Sequence, residues 1–257
     1  MTPPIATTPW LGKLRPGPPP RLRMFCFPYA GGGIATYRQW SARLPPDVEV
    51  CPVRFPGREM RIKEAVVDDW DTLRRTLMRE LGPYLSTPYV FFGHSMGATI
   101  GYNLALSLRR AGIRLPELLV VSGRLPPNHD YSKRPEFTLP EVNDEAIVRY
   151  FTAMNSTTQM LLADQDLFRV VMPVLRGDVR LLQTMNGLSP EKLDVPILAF
   201  GGTRDASSPE DEVRDWRLFS SREFIYHSID TGEHLFLGEK AGEVCALLSR
   251  ELSRLRG

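Results

Sequence analysis

Short apolar runs alternate with amphipathic segments along most of the chain. Met24–Phe27, Val48–Val53, Tyr89–Phe92, Leu118–Val121, Pro196–Phe200 and Phe224–Ile229 are rich in aromatic, Leu and β-branched side chains, the pattern of short buried strands. Between them the period changes. A helix over Asp69–Leu81 puts Trp70, Leu73, Leu77, Met78 and Leu81 on one face, and Met96–Arg110 carries Ile100, Leu104 and Leu108 at helical spacing. A Gly-rich turn after the first strand opens a helix predicted to run through Trp40, and a last helix bears Val244, Leu247, Leu248, Leu252 and Leu255. Strands alternating with helices predict an α/β chain, a mostly parallel sheet with helices on both faces.

Two stretches leave this rhythm. Residues 1–20 are Pro- and Gly-rich, ending in Arg15-Pro16-Gly17-Pro18-Pro19-Pro20, and read as an extended leader with no core of its own. Residues 125–190 show only helical pattern, opening with Pro126, Pro127 and Pro135 and running through Ile147-Val148, Tyr150-Phe151, Leu161-Leu162, Val170-Val171 and Leu181-Leu182. Such a length between two sheet strands is no ordinary connection. The plain reading is a crossover that covers the sheet. A helical lid over an active site is favoured, because the segment is more apolar than one packed face requires, as an acyl pocket would make it. The expected organisation is therefore a core of 21–124 and 191–257 with a lid, 125–190, inserted in it.

Composition removes several function classes. The 32 basic and 30 acidic residues nearly cancel, and without a basic stripe a nucleic-acid partner is not expected. Cys26, Cys51 and Cys245 are odd in number and far apart, giving neither a disulfide framework nor a zinc spacing, and Cys26 reads as a buried thiol. No metal site is expected. The first 20 residues lack a continuous apolar core of the signal-peptide kind, and no run approaches the ~20 apolar residues of a membrane span. A soluble, cytoplasmic, monomeric protein is the expectation.

The chemistry concentrates at Gly93-His94-Ser95-Met96-Gly97, set between a strand and a helix. A sharp strand-to-helix turn needs small residues on both sides and lifts a serine hydroxyl above the sheet, which is the nucleophile elbow of α/β-hydrolases. Serine needs a base, and the base an orienting acid, in chain order Ser, acid, His. Of the four histidines, His94 lies inside the elbow and points to a structural role, His129 sits in a Pro-rich loop, and His227 lies within a strand. His234 follows the last strand and is the expected base. Gly201-Gly202-Thr203-Arg204-Asp205 places Asp205 beyond the preceding strand, where open α/β sheets bind ligands. Its competing reading is a helix cap, with Ser207 and Ser208 as rivals for that task. Asp211 and Asp215 look helical, and Asp230 is too near His234 in sequence. Two backbone N–H groups must face the developing oxyanion. Met96 supplies one and Ala30, in Phe27-Pro28-Tyr29-Ala30-Gly31-Gly32-Gly33, the other; this Gly run lacks the Lys-Ser/Thr ending of a phosphate loop.

These features define acyl transfer and no particular substrate. Phe27-Pro28-Tyr29-Ala30-Gly31-Gly32, Phe55-Pro56-Gly57-Arg58-Glu59 with Arg61 and Glu64, Gly93-His94-Ser95-Met96-Gly97-Ala98 and Gly232-Glu233-His234 together resemble type II thioesterases. These are the stand-alone editing enzymes of polyketide and non-ribosomal peptide assembly lines, related to the medium-chain thioesterase of fatty acid synthase. The resemblance runs from about Met24 to Leu252. It implies an α/β-hydrolase core with a helical lid, the triad Ser95, Asp205 and His234, and oxyanion amides at Ala30 and Met96. It implies no cofactor: the substrate is an acyl group on the 4′-phosphopantetheine arm of a carrier protein, a transient partner. Tyr29 stands where His is frequent and Glu233 where Gly is frequent. Arg58, Arg61 and Lys63 are candidates for an acidic carrier surface or its phosphate, against the plainer reading of a solvated basic loop pairing with Glu59 and Glu64. The alternatives are a carboxylesterase or lipase acting on oxygen esters, a terminal type I thioesterase, and a hydrolase-fold binding module without catalysis.

Overall fold

The six apolar runs become six strands, each closely matching its apolar run: β1 (Leu22–Phe27), β2 (Val48–Pro52), β3 (Tyr89–His94), β4 (Leu118–Ser122), β5 (Ile197–Gly202) and β6 (Phe224–Ile229). They form one sheet in the order β2-β1-β3-β4-β5-β6, with every neighbouring pair parallel. The computed structural model describes residues 8–12, 20–129, 143–154, 164–185 and 188–255. Pro135, Leu161 and Leu162 of the apolar pattern lie outside them.

Parallel strands buried on both faces read as continuous apolar runs, because successive side chains point to opposite sides. Phe25, Phe27, Phe91, Leu119, Val121, Ile197 and Ala199 face one layer. It is made by α2 (Trp70–Leu81), α3 (Met96–Arg110) and the 3₁₀ turn Arg214–Phe219 after the short α6 (Glu210–Val213). The intervening residues Met24, Cys26, Val90, Phe92, Val120, Leu198 and Phe200 face α1 (Trp40–Arg43) and α7 (Ala241–Arg254). The helix expected after the first Gly-rich turn is split. Ile34–Tyr37 forms a 3₁₀ turn, and only four residues from Trp40 are α-helical. α2 starts where Asp69 accepts a hydrogen bond from the Thr72 amide at 2.9 Å, satisfying one of the free N–H groups of the first turn.

Two helices, α4 (Asp144–Met154) and α5 (Gln165–Met185), lie in the chain between β4 and β5. Ile147 and Phe151 pack against Met172, Leu175 and Val179 to form a separate apolar cluster, with Ala30 against it. The last turns of α5 join the main core through Leu181, Leu182 and Met185. Arg176 makes a two-pronged contact with Asp144 at 2.6 and 2.5 Å and ties the pair together.

The Pro-rich leader contributes more than an extended chain. Leu11 is fully buried and bridges Val53 in antiparallel fashion, and the Arg54 amide donates to the Trp10 carbonyl at 2.8 Å. The Trp10 ring packs on Phe55, and the Arg61 guanidinium stacks over it at 4.6 Å. The three cysteines are buried, and none of them is in a disulfide. Among the described residues no helix is long and apolar enough to cross a membrane, and no cluster of candidate ligands could hold a metal ion.

Candidate active site

Ser95 stands at the junction of β3 and α3 with φ 51° and ψ −117°, a backbone conformation that costs a non-glycine residue about 1–3 kcal/mol. The elbow is held from both sides. The Ser95 amide donates to the Ser122 carbonyl at 2.8 Å, continuing the β3–β4 ladder past His94 opposite Ser122. Tyr89, Val90, Phe91 and Phe92 are fully buried immediately before it, each contributing about 1.5–3 kcal/mol, which together exceeds the strain. The flanking glycines are required by contact. A Cβ on Gly93 would lie 2.1 Å from the Gly97 carbonyl, and one on Gly97 would lie 2.3 Å from the Phe27 carbonyl oxygen. The second contact shows that the loop after β1 abuts the first turn of α3.

Ser95, His234 and Asp205 form one hydrogen-bonded relay. His234 Nε2 lies 2.9 Å from Ser95 Oγ, and His234 Nδ1 lies 2.9 Å from Asp205 Oδ2. A carboxylate only accepts, so Nδ1 carries the hydrogen and Nε2 is free to take the serine proton. Asp205 touches both the imidazole and the turn that follows it. While Oδ2 faces the imidazole, Oδ1 accepts from the amides of Ser207 and Ser208 at 2.9 and 3.1 Å. All three groups are buried. The acid and histidine loops are closely joined: the Arg204 amide donates to the Gly232 carbonyl at 3.0 Å, and a Cβ on Gly202 would meet that carbonyl oxygen at 2.2 Å.

His94 has the structural role expected of it, and the structure supplies the form. Nε2 donates to the His234 carbonyl at 2.7 Å, so Nδ1 is unprotonated and accepts from the Ser122 hydroxyl at 2.9 Å. Burial, reinforced by nearby His234, pulls its pKa down to about 3, so the ring is neutral. It thus fixes the backbone of His234 without adding charge beside it. Gly123, at φ 55°, makes room: a Cβ there would lie 2.6 Å from the ring. Tyr29 and Phe236 pack edge-on against the same ring. His227 is on the edge strand and pairs with Glu251 at 3.0 Å, and His129 meets Glu212 at 3.0 Å; neither joins the relay. Glu233 is exposed.

The amides of Ala30 and Met96 donate to no group among the described residues, and Met96 begins α3, whose N-terminus carries partial positive charge. The turn around Ala30 is heavily braced. Gly32 N–H closes it on the Tyr29 carbonyl at 2.8 Å, and Gly31 N–H donates to Asp178 Oδ2 at 2.7 Å. Arg58 donates to the Gly32 carbonyl at 3.0 Å and to both Asp178 oxygens at 3.0 and 2.6 Å. The neighbouring Glu59, itself at φ 49°, accepts from the Ile34 and Ala35 amides at 3.0 Å each.

This corrects the reading of Arg58 as a surface cation. Its side chain is buried against Asp178 and stacked on Phe55, so it has no free face for a carrier. Arg61 is occupied too, by Glu64 at 2.8 and 2.5 Å and the Arg54 carbonyl at 2.9 Å, and Glu59 pairs with backbone rather than arginine. Lys63 is the exposed member of the three. Asp178 escaped sequence reasoning altogether, because an aspartate within a long amphipathic helix carries no local mark of a partner 120 residues away.

A family model for the thioesterase domain matches residues 22–252. The gramicidin S biosynthesis protein GrsT of Aneurinibacillus migulanus is 33% identical over 232 residues, covering 90% of this chain and 89% of that protein. Among solved structures, the type II thioesterase BorB from the borrelidin biosynthetic cluster superposes with a TM-score of 0.83 at 30% identity, covering 96% of this chain and 99% of that one. The RedJ thioesterase from the prodiginine pathway of Streptomyces coelicolor gives 0.81 at 31% identity, covering 96% of each chain. The sheet and its layers are those of the α/β-hydrolase fold. Because the match from 22 to 252 takes in the elbow, the acid loop and the histidine loop alike, this chain belongs to the thioesterase family.

Proposed function

We propose that the protein is a type II thioesterase that frees carrier proteins of polyketide or non-ribosomal peptide assembly lines from stalled or aberrant acyl groups. The carrying observation is the buried Ser95–His234–Asp205 relay, with its two 2.9 Å contacts and a base nitrogen facing the hydroxyl. In this reading Ser95 Oγ attacks the thioester carbonyl while its proton passes to His234 Nε2. The amides of Ala30 and Met96 hold the resulting oxyanion. Collapse breaks the C–S bond, and His234 returns the proton to the departing phosphopantetheine thiolate. A water then gives a proton to His234 and attacks the acyl-serine, and the second collapse re-protonates Ser95 and releases the acid. Asp205 keeps the imidazole in the Nδ1–H form and balances its charge when it is protonated.

The helices between β4 and β5 act in this reading as a lid, supported by their apolar cluster reaching Ala30. The partner is a carrier protein in transient contact. The deciding experiment compares acetyl-, propionyl- and longer acyl-carrier proteins with matched oxygen esters, for the wild type and Ser95→Ala. Faster release from carriers, abolished in the variant, is expected. Turnover of oxygen esters alone would make the protein an esterase, and full activity of Ser95→Ala would overturn the mechanism.

A further inference from the structure

The turn that carries Ala30 is fixed by groups from elsewhere in the chain. A peptide unit is planar and trans, so its C=O and N–H point in opposite directions. The unit joining Tyr29 to Ala30 has its carbonyl turned into the loop by Gly32 N–H at 2.8 Å, which turns Ala30 N–H outward. The next unit is held through Gly31 N–H by Asp178 at 2.7 Å. The Gly32 carbonyl is held by Arg58 at 3.0 Å, and Arg58 is itself clasped by both Asp178 oxygens. Asp178 is on α5, whereas the loop it grips belongs to the core. Gly31 sits at φ 76° beneath the same helix, where a Cβ would lie 2.8 Å from Leu175 Cδ2.

We infer that Asp178, with Arg58 as its counter-ion, is a positioning residue for the Ala30 amide, making helix α5 a working part of the active site. The inference rests on the reading of Ala30 as an oxyanion donor. An acceptor on a core loop would hold the turn whatever α5 did. An acceptor on α5 holds it only while that helix is seated, so donor alignment and the position of the inserted helices are one event. The charge pair suits this use. Both side chains are buried, at 8% and 1% exposure, and separating them would leave two unpaired charges out of water. The seated arrangement is therefore strongly preferred, and an oxyanion donor that needs no rearrangement during the reaction is the more effective one.

The test uses a small soluble acyl thioester, so that carrier docking does not enter, and two inhibitors. One is a trifluoromethyl ketone, which adds the Ser95 hydroxyl and forms an oxyanion. The other is a thioether analogue, which has no carbonyl and cannot. Removing both charges in Arg58→Met/Asp178→Leu avoids stranding either one. We expect kcat to fall about 10²- to 10³-fold with KM within about threefold, as for loss of one oxyanion donor. Ketone affinity should fall with kcat, while thioether affinity stays unchanged. Asp178→Asn keeps a neutral acceptor for Gly31 and should recover kcat to about three- to tenfold below wild type, since charge-assisted bonds are roughly twice as strong as neutral ones. A double variant within about threefold of wild type would overturn the inference, as would equal losses of ketone and thioether affinity. Should the double variant not fold, Asp178→Asn decides: a parallel loss of kcat and ketone affinity supports the role, and unchanged kcat refutes it. Wild type inert toward thioesters and unlabelled by a fluorophosphonate at Ser95 would instead sink the underlying function.

Discussion

Replacing Asp205 by Asn tests the relay at its most constrained atom. Oδ1 is held by two amides, Ser207 and Ser208 at 2.9 and 3.1 Å, and both require an acceptor. The introduced asparagine would therefore keep its oxygen toward them and turn its NH₂ toward His234. An NH₂ donor opposite Nδ1 forces the hydrogen onto Nε2, the atom that must accept the proton from Ser95. The alternative flip would restore the imidazole but leave two buried N–H groups without acceptors, at about 1–3 kcal/mol each. With a flip cost of about 2–6 kcal/mol and tenfold in rate per roughly 1.36 kcal/mol, kcat should fall between about 30-fold and 10⁴-fold. The assay is steady-state hydrolysis of an acyl thioester, normalised to folded protein by circular dichroism and paired with the rate of fluorophosphonate labelling at Ser95. Both rates should fall together. Asp205→Ala, which removes the acceptor without imposing the wrong tautomer, should be no slower than Asp205→Asn. An Asn variant within about threefold of wild type in both rates would refute the tautomer argument.

Three further outcomes follow from the same geometry. Gly123→Ala, at φ 55° with its new Cβ 2.6 Å from the His94 ring, should lose about 1–3 kcal/mol in urea unfolding and lower kcat by shifting the backbone of His234; unchanged stability would contradict it. His94 is held neutral, with its pKa lowered from 6.5 to about 3. The unfolded chain therefore binds the extra proton first, and stability fully present above pH 6.5 is lost as pH falls toward 3. Urea midpoints of His94→Gln should vary less over that window than those of wild type, and parallel curves would refute the assignment. Trp10→Ala should cost about 3 kcal/mol, measured by urea unfolding, because Trp10 is only 8% exposed and covers Phe55; a change below about 0.5 kcal/mol would show that the leader contributes nothing to the core.

Local chemistry was the legible part of this sequence. The Ser95 turn is marked by glycines two positions away on either side, and the proposed acid and base, Asp205 and His234, by following β5 and β6 in the required order. The strands were readable because two-sided burial makes each a continuous apolar run, as in Tyr89–Phe92. What stayed hidden was decided by contacts that leave no trace in spacing. Leu11 sits in a Pro-rich stretch, yet it bridges Val53 and belongs to the main apolar cluster. Arg58 reads as a loop cation because arginine usually is one, and only the carboxylate of Asp178 explains its burial. The helix expected through Trp40 is split, and the carboxylate that caps its first, 3₁₀ turn at Ile34 and Ala35 comes from Glu59, also distant in sequence.

The all-parallel sheet has a consequence for how this scaffold can diversify. The crossover from β4 leaves the sheet at Ser122, beside the elbow, and returns at Ile197, so the inserted helices hang from two fixed points on neighbouring strands. Lengthening such a crossover leaves strand register untouched, and each doubling of a flexible loop costs only about 0.6 kcal/mol. Under the proposed lid reading, new specificities can be tried between those two points while the contacts among Ser95, His234 and Asp205 stay as they are. The exception is a single carboxylate: any replacement segment must still bring an acceptor to Gly31 and a counter-charge to Arg58, as Asp178 does.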